Sequence, residues 1–338
     1  MAEHAAPLRI GVAGVGSLGF HHARIARELA GVVMVGFHEP RPDRAMKVAE
    51  QLGIPSFPDL SALLDAVDAL VVAAPTTIHA EIACAALARR IHVFIEKPIA
   101  SDLAQADRIL DAAARSGAIV QVGHVERFNA ALVGARPYLE APLFIESHRL
   151  APFTERGTDV AVVLDLMIHD VDLVASLVGR PVESFEATGI PVLTSSVDIA
   201  NARLTFEGGA VANLTASRVS LERMRKLRIF QKSGYMSLNL ANGTGEFLRL
   251  KQELPTFLEG GRPDGAGPLA LDIGKIVERI QLSAEPVEPL RRELESFRDA
   301  ILSDTAPLVS GRDGRNALAT VLAIEERIMS HVSRTSAA

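Results

Sequence analysis

The chain has no tryptophan, one cysteine and two tyrosines among its 338 residues. The single cysteine, Cys84, cannot form a disulfide within the chain, which excludes a disulfide-stapled secreted domain and indicates a reducing compartment. Aromatic residues make up only 4% of the sequence, so stacking platforms for nucleic-acid bases are scarce. No apolar run approaches the roughly 20 residues that a transmembrane helix requires. We therefore predict a soluble, cytoplasmic protein.

The chain also has little excess of either charge. The 35 lysines and arginines oppose 41 aspartates and glutamates, which gives a formal net charge of -6. No basic stripe interleaved with aromatic residues is visible, so neither nucleic acid nor a membrane is expected as a partner. Hydrophobic residues form 48% of the chain, enough for one or two packed cores, which excludes intrinsic disorder.

Between Leu8 and His124, short apolar runs alternate with longer amphipathic patterns. The runs typical of strands are Arg9–Ala13, Val32–Phe37, Ala69–Ala74, His92–Ile95 and Ile119–Val122. The patterns typical of helices are Leu18–Leu29, Arg41–Leu52, Leu60–Ala66, His79–Arg89 and Leu103–Ser116. Strands that are apolar throughout and separated by helices indicate a parallel sheet covered on both faces. Residues 1–123 are therefore predicted to form a doubly wound α/β domain.

The pattern changes after His124, where predicted strands follow one another with few helices between them. These strands are Leu143–His148, Ser184–Ala187, Ile199–Phe206, Ala210–Ser217 and Lys226–Gln231. Two amphipathic helical patterns, Leu290–Ile301 and Asn316–His331, close the chain. Residues 124–338 are therefore predicted to form a second, α+β domain built on an antiparallel or mixed sheet.

A glycine-rich motif joins the first predicted strand to the first predicted helix. It has the form G-x-G-x-x-G and comprises Gly14, Gly16 and Gly19, with Ser17 and Leu18 before the last glycine. The first glycine permits a tight turn, the second lets the backbone approach a pyrophosphate, and the third allows close packing of helix on strand. The helix N-terminus offers free N–H groups to an anion. The motif predicts that these five residues bind a dinucleotide.

Glu39 stands about 20 residues beyond the motif, where an acidic side chain accepts hydrogen bonds from the adenosine ribose. A carboxylate at this place repels a 2′-phosphate, which favours NAD over NADP. Arg41 and Arg44 leave NADP open, because either arginine could pair with that phosphate. They are equally compatible with solvated charges at the start of a helix.

Polar residues follow the third and fourth predicted strands. Pro75, Thr76 and His79 come after the third strand, and Glu96 and Lys97 come at the end of the fourth. The carboxyl ends of parallel strands share one edge of a sheet, at which open α/β sheets bind ligands. We therefore expect these residues to lie beside the cofactor, although turn or cap roles stay open for Thr76 and His79. The Lys97 ammonium could donate a hydrogen bond to a substrate oxygen.

A polar stripe marks an otherwise apolar helical pattern in the second predicted domain. At about 100° per residue, Asp165, His169 and Asp172 fall within about 40° of one another. A carboxylate at Asp165 can orient the imidazole of His169 one turn later and raise its basicity, as a general base requires. A buried structural His–Asp pair and a shared divalent metal ion are the alternatives. No further His or Cys cluster has the spacing of metal ligands, so no metal is predicted.

With these motifs in this order, the chain resembles the Gfo/Idh/MocA family of oxidoreductases over nearly its whole length. The motifs are Gly14-x-Gly16-x-x-Gly19, Pro75-Thr76-x-x-His79, Glu96-Lys97-Pro98 and Asp165-x-x-x-His169. The resemblance implies an N-terminal Rossmann domain and a C-terminal α+β domain with a large, open, mostly antiparallel sheet. It implies NAD as the cofactor, assigns catalysis to Lys97, Asp165 and His169, and leads us to expect a homodimer or homotetramer.

Further stretches resemble one branch of that family, the UDP-N-acetylglucosamine 3-dehydrogenases. They are Gly123–Asn129, His148–Phe153, Asp165–Leu173 and Ser217–Ser220. The resemblance implies oxidation of the sugar 3-hydroxyl to a 3-keto nucleotide sugar, a precursor in lipid A synthesis. In that reaction His169 is the expected base, Asp165 orients it and Lys97 stabilises the alkoxide.

The substrate of such an enzyme carries a diphosphate, for which arginine is well suited. The residues expected to bind substrate are Arg127, Asn129, Arg149, Arg156, His169 and Arg218. Three alternatives stay open: the same chemistry on an inositol or a free aldose, a non-catalytic NAD-binding sensor, and an NADP-linked reductase.

Overall fold

The computed structural model describes residues 6–154, 160–251 and 276–335. Their contacts divide the chain into two compact units. The first holds the described residues up to Phe128 together with Val287–Ala323, and the second holds those of Asn129–Pro286 and from Ile324 onward. The division predicted from the sequence placed the boundary at Gly123 and assigned residues 287–323 to the second domain. The structure groups that segment with the first unit.

The described residues form thirteen strands. They are β1 (Leu8–Ala13), β2 (Val32–His38), β3 (Ala69–Val72), β4 (His92–Glu96), β5 (Val120–Gly123), β6 (Phe144–Leu150), β7 (Val182–Ile190), β8 (Ile199–Phe206), β9 (Val211–Ser217), β10 (Met224–Gln231), β11 (Gly234–Asn239), β12 (Thr244–Leu250) and β13 (Val277–Leu282). All five strands predicted in the first 123 residues are present within one or two residues of their expected bounds. In the second unit the last three strands were not predicted.

The described helices are α1 (Ser17–Glu28), α2 (Pro42–Leu52), α3 (Leu60–Leu64), α4 (His79–Ala88), α5 (Leu103–Ser116), α6 (Ala130–Ala135), α7 (Ile168–Val178), α8 (Pro289–Ser303) and α9 (Gly311–Thr335). Local chemistry explains several of their starts. Asp59 and Asp102 cap α3 and α5, because their carboxylates accept the backbone N–H groups of Ala62 and Gln105. Pro42 opens α2 without losing a helical hydrogen bond. None of the described helices is long and apolar enough to cross a membrane.

The first unit is built on a five-stranded parallel sheet with the order β2-β1-β3-β4-β5. The order reverses direction between β1 and β3, which is where open α/β sheets bind ligands. All four residues of β3 are buried, as expected for a strand covered on both faces. The predicted doubly wound, Rossmann-type fold is confirmed.

Helix α8 completes the core of this first unit. Leu294 and Phe297 are fully buried in the same apolar cluster as Val12 and Phe94. The ring of Phe297 meets the edge of Phe94 at a centroid distance of 5.8 Å. An amphipathic pattern shows that a helix has an apolar face but not which sheet covers that face. For this reason residues 287–323 were assigned to the second domain from the sequence, whereas the structure groups them with the first unit.

The second unit is built on an eight-stranded sheet with the order β13-β12-β11-β10-β6-β9-β8-β7. Every neighbouring pair is antiparallel except β6 and β9, which run parallel. Buried residues alternate along β8 at Ala200, Ala202, Leu204 and Phe206, so this sheet covers a core with one face. The prediction of a large, mostly antiparallel sheet is confirmed.

Candidate functional site

The glycine-rich turn follows β1 and packs tightly against the end of β3. Gly14 has a φ of +86°, a conformation that favours glycine. A Cβ atom added to Gly14 would lie 2.9 Å from backbone atoms of Ala74, and one added to Gly19 would lie 1.9 Å from the carbonyl oxygen of Gly14. Packing within the protein therefore requires the first and third glycines of the motif.

Gly16, unlike Gly14 and Gly19, is not closely packed against the protein, and the space beside it decides whether the turn fits a dinucleotide. A Cβ atom added to Gly16 would meet no atom within 4 Å, so protein packing leaves open space beside this residue. Gly16 is also the N-cap of α1 and supplies no side-chain hydrogen bond to the first N–H groups of the helix. The first N–H groups of a helix have no partner within the helix, so an uncapped helix N-terminus beside open space suits an anion, and the turn fits a pyrophosphate.

Glu39 lies just after β2 with its carboxylate directed at this turn. Its side chain is buried, and Oε2 accepts the backbone N–H of Val15 at 3.1 Å. The guanidinium of Arg41 donates from Nε to Oε1 at 2.8 Å and from Nη2 to Oε2 at 3.3 Å. Burial by itself would raise the pKa of Glu39, but the hydrogen bonds from Arg41 and Val15 outweigh it, and the pKa is lowered. Glu39 is therefore a carboxylate at neutral pH.

Arg44 forms its hydrogen bonds with the backbone of the glycine-rich turn. Its Nε donates to the carbonyl oxygen of Val15 at 2.7 Å and its Nη2 to that of Gly16 at 2.9 Å. Beside it opens a cavity of about 610 Å³ between α1 and α2, with Ser17, Arg41 and Lys47 among its lining residues. This cavity is cationic, and it adjoins the place where the adenosine end of a dinucleotide is expected.

The segment after β3 runs from exposed Pro75 through half-buried Thr76 into α4, which begins at His79. The imidazole of His79 is buried and lies between two carbonyl oxygens, that of Ala74 at 2.9 Å from Nε2 and that of Pro98 at 3.0 Å from Nδ1. Burial lowers the pKa of His79, and these two hydrogen bonds oppose the shift. His79 thus ties the end of β3 to the residue after Lys97.

Glu96 ends β4, and Lys97 follows it with a half-exposed side chain and a cis peptide bond to Pro98. Oε1 of Glu96 lies 2.6 Å from Nε2 of His22, a fully buried histidine on α1. Sequence reasoning missed His22. The available signal was a histidine three residues after Gly19, on the face of α1 that the apolar pattern assigns to the core.

In the second unit, Asp165 and His169 lie on consecutive but different helical segments. Residues Val163–Met167 form a π-helical turn, and α7 begins at Ile168. The wider π turn means that the rotation of 100° per residue used to align Asp165 with His169 does not apply to this first turn. Both side chains are partly exposed, and π turns occur frequently at functional sites.

Asp172, the third member of the predicted stripe, is buried. Asp170, directly after His169, is buried as well and pairs with Arg149: Nε lies 2.7 Å from Oδ2. The hydroxyl of Ser147 donates to Oδ1 of Asp170 at 2.9 Å. The α7 residue next to His169 is therefore anchored to β6.

Several residues predicted to bind substrate have partners inside their own units. Arg127 is 11% exposed, and its Nη2 lies 3.8 Å from an oxygen of Asp313. Asn129 is buried and caps α6 by accepting the N–H of Ala131 at 3.1 Å. Arg218 is buried and donates to the carbonyl oxygen of Val160. Arg156 lies outside the described residues.

The structure also bears on metal binding and on nucleophilic catalysis by cysteine. Among residues 6–154, 160–251 and 276–335, no group of three His, Cys, Asp or Glu side chains could hold a metal ion. The thiol of Cys84 is half-buried on α4, and burial raises its pKa. A nucleophilic cysteine needs a lowered pKa, so Cys84 is not placed for that role.

Comparison with known proteins connects this geometry to a family. The model of the Gfo/Idh/MocA oxidoreductase family, an NAD-binding Rossmann fold, matches residues 8–124. The model of the Gfo/Idh/MocA C-terminal domain matches residues 115–237.

Individual relatives match along almost their whole length. The chain is 34% identical to UDP-N-acetylglucosamine 3-dehydrogenase from Acidithiobacillus ferrooxidans, covering 97% of this chain and 99% of that protein. It is 26% identical to myo-inositol 2-dehydrogenase from Thermotoga maritima, covering 92% and 93%. The solved structure of the Acidithiobacillus protein has a TM-score of 0.84 to this chain at 32% identity, covering 96% of this chain and 98% of that one.

A solved scyllo-inositol dehydrogenase from Lactobacillus casei, with bound NAD(H) and scyllo-inositol, has a TM-score of 0.75 at 19% identity. The match covers 96% of this chain and 98% of the Lactobacillus chain. At that identity the similarity establishes a shared fold.

Proposed function

Because the chain belongs to the Gfo/Idh/MocA oxidoreductase family, we propose that it oxidises a secondary hydroxyl of a nucleotide sugar with NAD, namely the 3-hydroxyl of UDP-N-acetylglucosamine. The observation that carries the choice of substrate is the match to the Acidithiobacillus dehydrogenase across nearly the whole of both chains. The 3-keto product would then serve as the substrate of an aminotransferase in lipid A precursor synthesis.

The first unit would hold the dinucleotide. The open space at Gly16 and the uncapped N-terminus of α1 suit its pyrophosphate. The Glu39 carboxylate, kept ionised by Arg41 and the Val15 amide, suits the adenosine ribose hydroxyls. Ser17, Leu18, Pro75, Thr76 and His79 complete the proposed cofactor contacts. When bound, NAD supplies an acceptor for the hydride that leaves the substrate carbon.

His169 is the proposed general base. As the substrate C–H bond breaks, the O–H bond gives its proton to the imidazole and the carbon–oxygen bond becomes double. Asp165 is proposed to orient the imidazole and to stabilise its charged form. The π turn that carries Asp165 and the buried anchor at Asp170 support this assignment, because both hold the segment around His169 in a defined geometry.

Lys97 is the proposed electrostatic partner of the reacting oxygen. An ammonium group that donates a hydrogen bond to this oxygen stabilises the negative charge that develops as the proton leaves. Lys97 directly follows β4, at the carboxyl edge of the parallel sheet, where this class of fold binds its ligands. The buried contacts of Glu96 and Pro98 on either side of it hold its backbone in place.

The substrate diphosphate would be bound by arginines of the predicted substrate-binding set. Arg127 and Arg156 are the proposed direct contacts. Arg149 and Arg218 are buried and hold carboxylate or carbonyl partners, so we propose that they shape the substrate-binding surface instead. Asn129 would act in the same way through its cap of α6.

A second candidate is an inositol dehydrogenase. The observation that favours it is the match to myo-inositol 2-dehydrogenase from Thermotoga maritima over more than nine-tenths of both chains. The chemistry assigned to His169, Asp165 and Lys97 would be unchanged. The two candidates differ in whether the substrate carries a diphosphate.

The test is a substrate panel with purified protein and NAD, monitored by the absorbance of reduced nicotinamide. The panel contains UDP-N-acetylglucosamine, UDP-N-acetylgalactosamine, UDP-glucose, free N-acetylglucosamine, myo-inositol and scyllo-inositol. A hydrazine that traps ketones pulls an unfavourable equilibrium forward. We expect reduction of NAD with UDP-N-acetylglucosamine and no reduction with the inositols. Reduction with an inositol alone would replace the first candidate with the second.

A further inference from the structure

We propose that His22 is a positioning residue for Lys97 and that it acts through the Glu96 carboxylate. The inference rests on the proposed function, in which Lys97 donates to the reacting oxygen. His22 lies on α1, immediately after the glycine-rich turn, and Lys97 lies two strands away at the end of β4. The connection between them consists of two hydrogen bonds.

The first hydrogen bond joins the imidazole to the carboxylate. Nε2 of His22 lies 2.6 Å from Oε1 of Glu96, and the two side chains are 0% and 12% exposed. A separation this short inside the protein indicates a charge-assisted hydrogen bond, in which the ring N–H donates to the carboxylate. The position of Oε1 is therefore set by α1.

The second hydrogen bond joins the same carboxylate to the backbone of Lys97. Its N–H donates to Oε2 of Glu96 at 3.2 Å. The carboxylate lies close against Gly123 of the neighbouring strand β5, where a Cβ atom added to the glycine would lie 3.0 Å from Oε2. A displacement of the carboxylate thus moves the backbone from which the Lys97 side chain extends.

The surroundings of His22 suggest that the contact with Glu96 is the reason for a histidine at this place. The opposite ring nitrogen, Nδ1, is buried and makes no hydrogen bond with any residue in the described part of the chain. The ring meets the edge of Phe94 at a centroid distance of 5.1 Å. A buried polar atom with no partner lowers stability, so an apolar side chain would serve packing better than this imidazole does.

A second buried histidine holds the other side of Lys97. His79 joins the carbonyl oxygen of Pro98 to that of Ala74, two residues after β3. The residues before and after Lys97 are therefore each fixed by an imidazole from a different element. His22 is a better residue to mutate than His79, because His22 is linked to Lys97 through Glu96 and is not itself a proposed cofactor contact.

The experiment compares three variants with the wild type. His22→Leu removes the donor, Glu96→Gln weakens the acceptor at constant volume, and His92→Leu is the matched control. His92 stands at the opposite end of β4, where its ring accepts the N–H of Ile119 at 3.0 Å. We expect kcat to fall at least tenfold in the first two variants and to stay within twofold of wild type in the control, with the Kd for NADH within twofold of wild type in His22→Leu.

Two further measurements separate positioning from general damage. His22→Gln can still donate to Glu96 and is expected to recover most of kcat. In a Lys97→Met background, His22→Leu is expected to lower kcat by less than twofold, since the group that it positions is gone. An equal loss of kcat in both backgrounds would overturn the proposal.

A readout without substrate keeps the inference separate from the proposed function. The rate at which an acylating reagent labels Lys97 is measured by mass spectrometry in wild type and in His22→Leu, with exposed Lys47 as the internal reference. We expect the ratio of the two labelling rates to change more than twofold, and an unchanged ratio would refute the connection. A wild type that oxidises no substrate but shows the changed ratio would contradict the proposed function alone.

Discussion

Arg149 on β6 and Asp170 on α7 form a buried ion pair with two points of contact, Nε to Oδ2 at 2.7 Å and Nη2 to Oδ1 at 3.2 Å. Each side chain is 4% exposed. Because Asp170 follows His169, the pair joins the sheet of the second unit to the helix that carries the proposed base. Arg149, predicted from the sequence to bind a phosphate, therefore has a structural partner.

Replacing Arg149 with Met is expected to destabilise the protein by about 3–5 kcal/mol, because the Asp170 carboxylate is left buried without its counter-charge. Urea unfolding measures the change. Arg228→Met is the control, since Arg228 pairs with Glu146 at the surface, with 46% and 28% exposure, and such pairs contribute about 1 kcal/mol or less. Equal losses in the two variants would show that Asp170 does not depend on Arg149.

The motif glycines are expected to separate folding from cofactor binding. Gly16→Ala should leave stability within about 1 kcal/mol, since the new methyl group meets no protein atom, but should weaken NADH binding at least tenfold by filling the space for the pyrophosphate. Gly19→Ala should lower stability by about 1–3 kcal/mol or more, since its methyl group would overlap the Gly14 carbonyl. NADH fluorescence titration and urea unfolding measure the two quantities. A Gly16→Ala variant that binds NADH normally would remove the turn from the cofactor site.

Glu39 is expected to control the choice between NAD and NADP. Glu39→Gln should weaken NAD binding about tenfold or more, because hydrogen bonds to a charged group contribute about 1.5–3 kcal/mol. NADP binding should weaken less or improve, since the charge that repels a 2′-phosphate is gone. Arg41→Ala is the companion variant and should weaken NADP binding more than NAD binding. The ratio of kcat/KM for the two cofactors is the measurement, and an unchanged ratio in Glu39→Gln would contradict the assignment.

His169→Ala is expected to lower kcat about 100- to 10,000-fold, the range that general base catalysis contributes. NADH affinity should stay within about twofold of wild type, because the glycine-rich turn and Glu39 are unchanged. Asp165→Asn should give a smaller loss of kcat, since the imidazole remains but loses the carboxylate that supports its charged form. Wild-type turnover in His169→Ala would remove this residue from the role of base.

Asp198 gives a prediction for acid stability. Burial by itself would raise the pKa of Asp198, but the N–H groups of Val192, Thr194 and Leu193 donate to the carboxylate and lower the pKa from 3.8 to about 2. A lowered folded-state pKa means that this stabilisation is complete above the unfolded value and is lost as the pH falls from about 4 through about 2. Asp198→Asn should unfold more easily at neutral pH and show less loss of stability across that window. Parallel stability curves for the two proteins would contradict this.

The sequence determined what depends on near neighbours along the chain. The five apolar strands, the helices between them and the turn at Gly14, Gly16 and Gly19 were located from local patterns. Glu39 was expected near that turn because the first two strands of a Rossmann βαβ unit are parallel neighbours, so their carboxyl ends lie side by side. Such features are set by backbone geometry, burial period and short connections.

Only the tertiary structure decided which distant residues meet. It placed His22 against Glu96, 74 residues away, and Leu294 and Phe297 in the core of the first unit. It also showed a π turn at Asp165, where a regular helix was expected. The spacing of apolar residues indicates that one face of an element is buried, but it does not indicate which element covers that face. The partner of a buried charged group likewise depends on how whole helices and strands pack together.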